Sequence, residues 1–133
     1  YYIDTALRTV DAFDYDVEKG HVSRRRVLLE IPTGLGWPDG MTIDQSGHLW
    51  VALWEGSGVI EVDPRSGRVL RRLILPTRYV TSCAFGGPGL HDLYITTAFL
   101  SEDAHPHGTH DGAGDLYVWR SDTAGVPAFS FAG

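Results

Sequence analysis

The stretch "PDGMTIDQSGHLWVA", Pro38–Ala52, decides the fold class, because a later stretch repeats its pattern. That later stretch is "VTSCAFGGPGLHDLYITTA", Val80–Ala98. Each copy reads as a strand, a turn that contains glycine, and a second strand, and Asp39 in the first copy aligns with Thr81 in the second. The two positions are 42 residues apart. A period of about 40–45 residues with four short strands per unit is typical of β-propeller blades.

A second pair of segments repeats as well and fills the rest of the unit. "AFDYDVEKGHVSRRRVLL", Ala12–Leu29, matches "VIEVDPRSGRVLRRLIL", Val59–Leu75, and each contains an aspartate four residues before a glycine. In such a turn the aspartate side chain caps the backbone and the glycine supplies the positive φ. We therefore predict structural roles in turns for Asp16, Asp44 and Asp63.

The repeat divides the chain into a partial blade over 1–36, a full blade over 37–78 and a last blade over 79–133. Two to three blades cannot close a ring, and an open array leaves apolar faces in water. We therefore expect the chain to be the C-terminal part of one longer propeller domain, whose missing N-terminal blades would be its main partner. The predicted strands lie near 39–44, 48–54, 57–63, 68–75, 81–85, 92–98 and 115–120, with a last edge strand near 128–132.

Composition excludes several classes of protein. The chain has 133 residues, 43% of them hydrophobic, and a net charge of −6, with no basic stripe that could neutralise nucleic-acid phosphates. Its longest apolar runs are far shorter than the roughly 20 residues that span a membrane. Cys83 is the single cysteine and cannot form an internal disulfide, so no oxidising compartment is indicated. We expect a cytoplasmic protein with neither a nucleic-acid nor a membrane partner.

Propeller geometry places the two aligned positions where propellers commonly bind ligands. Loops that enter the first strand of a blade share one face with loops that join its second and third strands, and propeller sites are commonly built there. Asp39 and Thr81 would then stand at the mouth of the central channel. The loops Leu53–Ser57, Asp4–Thr9 and Phe99–Gly114 would overhang the same mouth.

Taken together, segments spread in order over nearly the whole chain identify a family. The segments are "YYIDT", "VDAFDYD", "PDGMTIDQSGHLWVA", "VIEVDPRSG", "LPTRYVTSCAFGG", "LYITTA", "GAGDLYVW" and "FAG". With them the chain resembles the C-terminal part of the SMP-30/gluconolactonase/regucalcin family. The fold of that family is a six-bladed propeller, of which the chain would cover the last two and a half to three blades.

The resemblance implies a metal-dependent sugar lactonase that opens an aldonolactone with metal-activated water. One divalent cation (Ca²⁺, Zn²⁺, Mg²⁺ or Mn²⁺) would be held by a Glu, an Asn and the Asp of the P-D-G motif, which is Asp39 here. The Glu and the Asn would lie before Tyr1, so we expect the isolated chain to be inactive. A carboxylate suits a hard cation and can also accept a proton from water, so Asp39 is the candidate ligand and base. The alternative is that Asp39 only shapes the Pro38–Gly40 turn.

Three further residues are substrate-pocket candidates. The Thr81 hydroxyl could contact substrate, or could bond only to nearby backbone. Trp37 and Trp54 could form an apolar wall for a sugar ring, or could pack between blades. The stretch "HPHGTHD", His105–Asp111, could bind a transition metal but reads better as a solvated loop that could cover the mouth. A non-catalytic calcium-binding or protein-interaction propeller remains the alternative function.

Overall fold

The computed structural model describes residues 1–100 and 112–130, and these form three antiparallel β-sheets. The sheets have the strand orders β1-β2-β3, β4-β5-β6-β7 and β8-β9-β10, and a short 3-10 turn, Pro88–Leu90, precedes β9. The strands are β1 (Tyr2–Asp4), β2 (Thr9–Asp16), β3 (His21–Glu30), β4 (Trp37–Ile43), β5 (Leu49–Trp54), β6 (Gly58–Asp63), β7 (Arg68–Ile74), β8 (Val80–Gly86), β9 (Asp92–Thr97) and β10 (Leu116–Arg120).

Seven strands lie within two residues of their predicted bounds, and one prediction is wrong over its described part. No strand forms over residues 128–130, and residues 131–133 lie outside the described part of the chain. The chain is instead held at Gly125, which forms an isolated bridge with Asp44 and whose amide donates to the Leu90 carbonyl. Phe129 is 99% exposed, so nothing in the described part of the chain packs against its side chain.

The sheets pack face to face through two apolar clusters. One lies between the first and second sheets and the other between the second and third. β5 and β6 are buried on both faces because they contribute to both clusters, whereas β3, β7 and β10 are largely exposed. Each fully buried Val, Leu or Ile contributes about 1.5–3 kcal/mol relative to an exposed one. Antiparallel sheets stacked in this way, each running from an inner to an outer strand, are the blades of a β-propeller, as the repeat predicted.

The predicted structural aspartates do cap turns. Asp16 accepts bonds from the amides of Glu18 and Lys19, and Asp63 accepts from Arg65 N and Ser66 Oγ. Asp44 is 1% exposed and makes more bonds. Its Oδ1 accepts from the amides of Ser46 and His48, and its Oδ2 accepts from Trp50 Nε1 at 2.9 Å. Asp44 therefore joins its turn to the core, which the sequence pattern did not show.

Cys83 is buried, burial raises the pKa of its thiol to about 12, and it is therefore inert, as a cysteine in an apolar strand should be. Within residues 1–100 and 112–130, the structure contains no helix with the length and apolarity to cross a membrane.

The inner strands of the second and third sheets approach so closely that Gly40 has no room for a side chain. A Cβ at Gly40 would lie 2.1 Å from Ser82 Oγ and 2.8 Å from Ser82 Cα. We expect Gly40→Ala to destabilise the protein by about 1–3 kcal/mol, the usual cost of overpacking, as a lower melting temperature. Gly34→Ala is the matched control, because a Cβ there meets nothing within 4 Å. Equal melting temperatures for the two variants would show that the inner strands can separate freely.

Candidate functional site

Asp39 lies on the innermost strand of the second sheet, at a β-bulge. β4 pairs with β5 from Trp37 to Pro38 and again from Met41, and the register shifts between them. A bulge inserts an extra residue and re-aims the side chains around it, which is why bulges are common beside active sites. The loop before Asp39 is tied to the first sheet, because Thr5 Oγ1 donates to the Pro38 carbonyl at 2.9 Å.

The Asp39 carboxylate is partly buried and has no hydrogen bond or ion pair within the described residues. Desolvation raises its pKa above the usual range. This sets Asp39 apart from Asp16, Asp44 and Asp63, whose oxygens accept bonds in turns. A partly buried carboxylate that accepts no hydrogen bond has oxygens suited to coordinating a hard cation. If Asp39 only shaped the turn, nothing would offset the free-energy cost of partly burying its charge, which the raised pKa reflects.

Thr81 occupies the same position on the innermost strand of the third sheet. β8 shifts register between Val80 and Ser82, so Thr81 also lies at a bulge. Its hydroxyl is 2.7 Å from the hydroxyl of Thr96 on β9. The aligned positions 39 and 81 therefore share a backbone irregularity, but the threonine side chain already has a partner in its own sheet.

The two candidate tryptophans pair in the sheet, but their rings contact different residues. Trp37 and Trp54 are opposite each other in the β4–β5 register. The ring of Trp54 contacts that of Tyr79, with centroids 4.6 Å apart at 45°. Trp37 contacts a different residue, Arg8 in the turn between β1 and β2, whose guanidinium carbon is 4.1 Å from the centroid of the Trp37 ring.

Arg8 holds the loop that leads into β4. Its Nε donates to the Ile31 carbonyl at 3.2 Å, and its Nη2 donates to the carbonyls of Pro32 and Gly36. Through these bonds and its contact with the Trp37 ring, Arg8 fixes the backbone that leads to Asp39. Nothing in the local sequence around Arg8 predicts this, because its partners are 23 to 28 residues away.

A cleft of about 410 Å³ opens at this end of the sheets, next to Trp37. Glu55 and Arg78 also line it and pair with each other, Oε1 to Nη2, at 3.0 Å. We call this space the mouth cleft; its lining residues are Arg8, Thr33, Gly34, Gly36, Trp37, Glu55 and Arg78. Glu55 has a positive φ of 59°, which no pattern in the sequence signals.

A second group of metal-binding residue types lies elsewhere in the fold. Possible ligand atoms of Asp44, His48 and Glu61 all lie within 4.8 Å of one another. However, both oxygens of Asp44 accept hydrogen bonds, and Glu61 binds His48 Nδ1 at 2.8 Å and Arg71 Nε at 3.1 Å. The group is thus explained as a hydrogen-bonded network. The residues His105–Asp111, the other candidate metal stretch, lie outside the described part of the chain.

Comparisons with known proteins extend this description. The sequence profile of the SMP-30/Gluconolactonase/LRE-like region matches residues 1–99. Regucalcin of Danio rerio is 41% identical over 134 residues and matches 100% of this chain and 45% of its own length. Pentonolactonase XacC of Haloferax volcanii is 44% identical over 133 residues, which cover 97% of this chain and 45% of that protein.

Among solved structures, a calcium-binding protein, regucalcin, from Agrobacterium tumefaciens superimposes with a TM-score of 0.81 at 25% identity. The match covers 93% of this chain and 42% of that one. The three sheets are thus blades of the β-propeller class found in these proteins. The chain belongs to the SMP-30/gluconolactonase family. It spans about 45% of the length of the curated relatives it matches, the share expected for nearly three blades of six.

Proposed function

We propose that the whole protein is a metal-dependent sugar lactone hydrolase and that Asp39 binds its cation. The observation that carries the proposal is the Asp39 carboxylate, which is partly buried, lacks a partner within the described residues and lies at a bulge on an innermost strand. A relative that matches 97% of the chain is named a pentonolactonase, which supports a sugar lactone as the substrate. Blade boundaries at 1–36, 37–78 and 79–133 and a cytoplasmic location are parts of the same proposal.

The reaction adds water to an ester. The hydroxyl of water bonds to the lactone carbonyl carbon, the ring C–O bond breaks, and the ring oxygen receives a proton. A divalent cation (Ca²⁺, Zn²⁺, Mg²⁺ or Mn²⁺), when bound, supplies Lewis-acid polarisation of the carbonyl. Asp39 binds the cation in its ionised form and accepts the proton that the attacking water loses. Its partial desolvation strengthens both interactions, because a lower local dielectric screens charge less.

The remaining candidates serve substrate binding in this proposal. Trp37 presents an aromatic surface to a sugar ring, and Trp54 supports the same end of the sheets through Tyr79. Thr81 contributes its hydroxyl from the next innermost strand. The other metal ligands, a Glu and an Asn by family resemblance, belong to blades that this chain does not contain. Residues 1–133 alone therefore supply one ligand, and we expect no lactonase activity from them above background.

A non-catalytic calcium-binding propeller is the second candidate function. The Agrobacterium neighbour is described as a calcium-binding protein, and a lone carboxylate at a channel mouth suits binding as well as catalysis. The two functions share the cation and differ in turnover.

Metal removal tests the proposal on the full-length protein. We expect dialysis against a chelator to reduce hydrolysis of sugar lactones to the spontaneous rate, with recovery on addition of Ca²⁺, Zn²⁺, Mg²⁺ or Mn²⁺. Hydrolysis is followed by the acid released at constant pH, and circular dichroism verifies that the metal-free protein stays folded. A rate above the spontaneous one that persists in the chelated protein would contradict the metal dependence. A folded protein that binds Ca²⁺ and hydrolyses no lactone would support the second candidate.

A further inference from the structure

The mouth cleft has the size and the lining of a small-molecule site. Its volume of about 410 Å³ lies within the roughly 300–1,000 Å³ typical of such sites. It adjoins the candidate metal ligand, because Trp37 lines the cleft and Asp39 follows two residues later on the same strand. Two residues span only about 6.5 Å along a strand. A molecule held at Asp39 can therefore extend into the cleft.

One side of the cleft is a tryptophan that is held in place but still exposed. Trp37 retains 36% exposure although Arg8 lies over its ring. Three backbone carbonyls fix the Arg8 guanidinium, so holding it against the Trp37 ring costs little further side-chain entropy. Fixed, half-exposed aromatic rings suit ligands that have an apolar face and polar edges, and a pyranose ring is such a ligand.

A second part of the lining offers acceptors and donors next to each other. The side chains of Glu55 and Arg78 are paired and remain 38% and 58% exposed. A carboxylate only accepts hydrogen bonds and a guanidinium only donates them, whereas a sugar hydroxyl does both. Glu55 also disfavours an anionic ligand, and Arg8 is already bonded to carbonyls. The lining therefore suits a neutral polyhydroxylated ring better than a phosphate or a carboxylate.

We propose that the mouth cleft is a subsite for a second sugar unit, so that the substrate class includes lactones that carry a glycosyl substituent. This rests on the proposed lactonase function. The lactone ring lies at Asp39, the attached sugar stacks on Trp37, and its hydroxyls bond to Glu55 and Arg78. Arg8 is a positioning residue that fixes Trp37. Only the lactone C–O bond is cleaved, and the glycosidic bond stays intact.

The test compares lactones with and without a second sugar on the full-length protein. D-Glucono-δ-lactone is the unsubstituted probe, and its 4-O-glucosyl and 6-O-glucosyl derivatives are the substituted ones. We expect kcat/KM for at least one derivative to exceed that for the unsubstituted lactone about 10-fold, a ratio that equals about 1.4 kcal/mol. Trp37→Ala and Glu55→Gln should each lower this ratio about 5-fold or more.

A second cleft variant and one control variant make the ratio specific to the cleft. Glu55→Gln changes one charge at constant size, so it serves if Trp37→Ala fails to fold. Asp14→Asn removes an exposed carboxylate that pairs with Arg26 on an outer strand, and it should leave the ratio unchanged. Hydrolysis of all three lactones with no preference for either derivative, or a preference that survives both cleft variants, would overturn the subsite alone. Absence of hydrolysis of every lactone would overturn the lactonase function together with it.

Discussion

Asp39→Asn should lower kcat/KM for lactone hydrolysis by at least about 100-fold in the full-length protein. Mutations of residues that merely support metal ligands cost about 10–100-fold, and loss of a direct ligand should cost no less. The amide keeps the size of the carboxylate but loses its charge and its capacity to accept a proton. Apparent metal affinity, measured by calorimetry, should fall in parallel with activity.

The same substitution should not destabilise the metal-free fold. Desolvation raises the pKa of Asp39 in the folded protein, so the folded state binds its proton more tightly than the unfolded state does. Such a group favours folding at low pH, and this contribution is lost as the pH rises through the raised pKa. At neutral pH the charged Asp39 is therefore unfavourable, and the neutral amide of the variant removes that cost. We expect an unchanged or higher melting temperature, as is common where a site residue is strained for function.

Asp16→Asn is the matched control for this variant. Asp16 is an aspartate in a turn, where its Oδ1 accepts from the amides of Glu18 and Lys19. It should leave both kcat/KM and metal affinity within a factor of about two, because a turn on the far side of the fold contacts neither cation nor substrate. If Asp39→Asn retained more than about a tenth of the wild-type activity while folded, Asp39 would not be the metal ligand.

Asp44→Ala should cost about 3 kcal/mol of unfolding free energy, the largest stability effect expected from a single side chain in the turns. Its removal leaves three donors without their acceptor, and Trp50 Nε1 is fully buried. Each buried donor left unpaired costs about 1–3 kcal/mol, and the two amides are close enough to solvent to recover part of that through water. Urea denaturation followed by circular dichroism measures the change.

Asp63→Ala provides the comparison within the same fold. Asp63 caps the equivalent kind of turn, but its carboxylate is solvent-accessible and, among the described residues, accepts bonds from Arg65 N and Ser66 Oγ alone. Water can replace it, so the denaturation midpoint should shift far less than for Asp44→Ala. Similar shifts for the two variants would show that the bond from Asp44 to Trp50 adds nothing beyond the turn.

The repeat in the sequence predicts most of the fold but only part of the site. Strand periodicity, glycine turns and the 42-residue spacing are local or regular features, so they identify the sheets, Asp39 and Thr81. The environment of Asp39 depends on contacts far along the chain. Arg8 reaches carbonyls 23 to 28 residues away, and Arg78 pairs with Glu55 across 23 residues. No local pattern encodes such pairs, so the mouth cleft emerges only from the structure.

Arg71 illustrates the same limit on an outer strand. It lies on β7, and its guanidinium carbon is 5.8 Å from the ring centroid of Trp50 and 5.2 Å from that of Trp119. It also pairs with Glu61 and Asp122. The two tryptophans belong to different strands, β5 and β10, so no local pattern around Arg71 signals these contacts.

The indole rings of Trp50 and Trp119 are 5.3 Å apart at 39° and belong to the second and third sheets. Two such chromophores, close together and skewed, couple their electronic transitions and produce a paired positive and negative band in circular dichroism. The amide signal reports strand content, whereas this couplet reports whether two neighbouring blades are docked. The couplet therefore offers a measure of the packing between the second and third sheets in unlabelled protein.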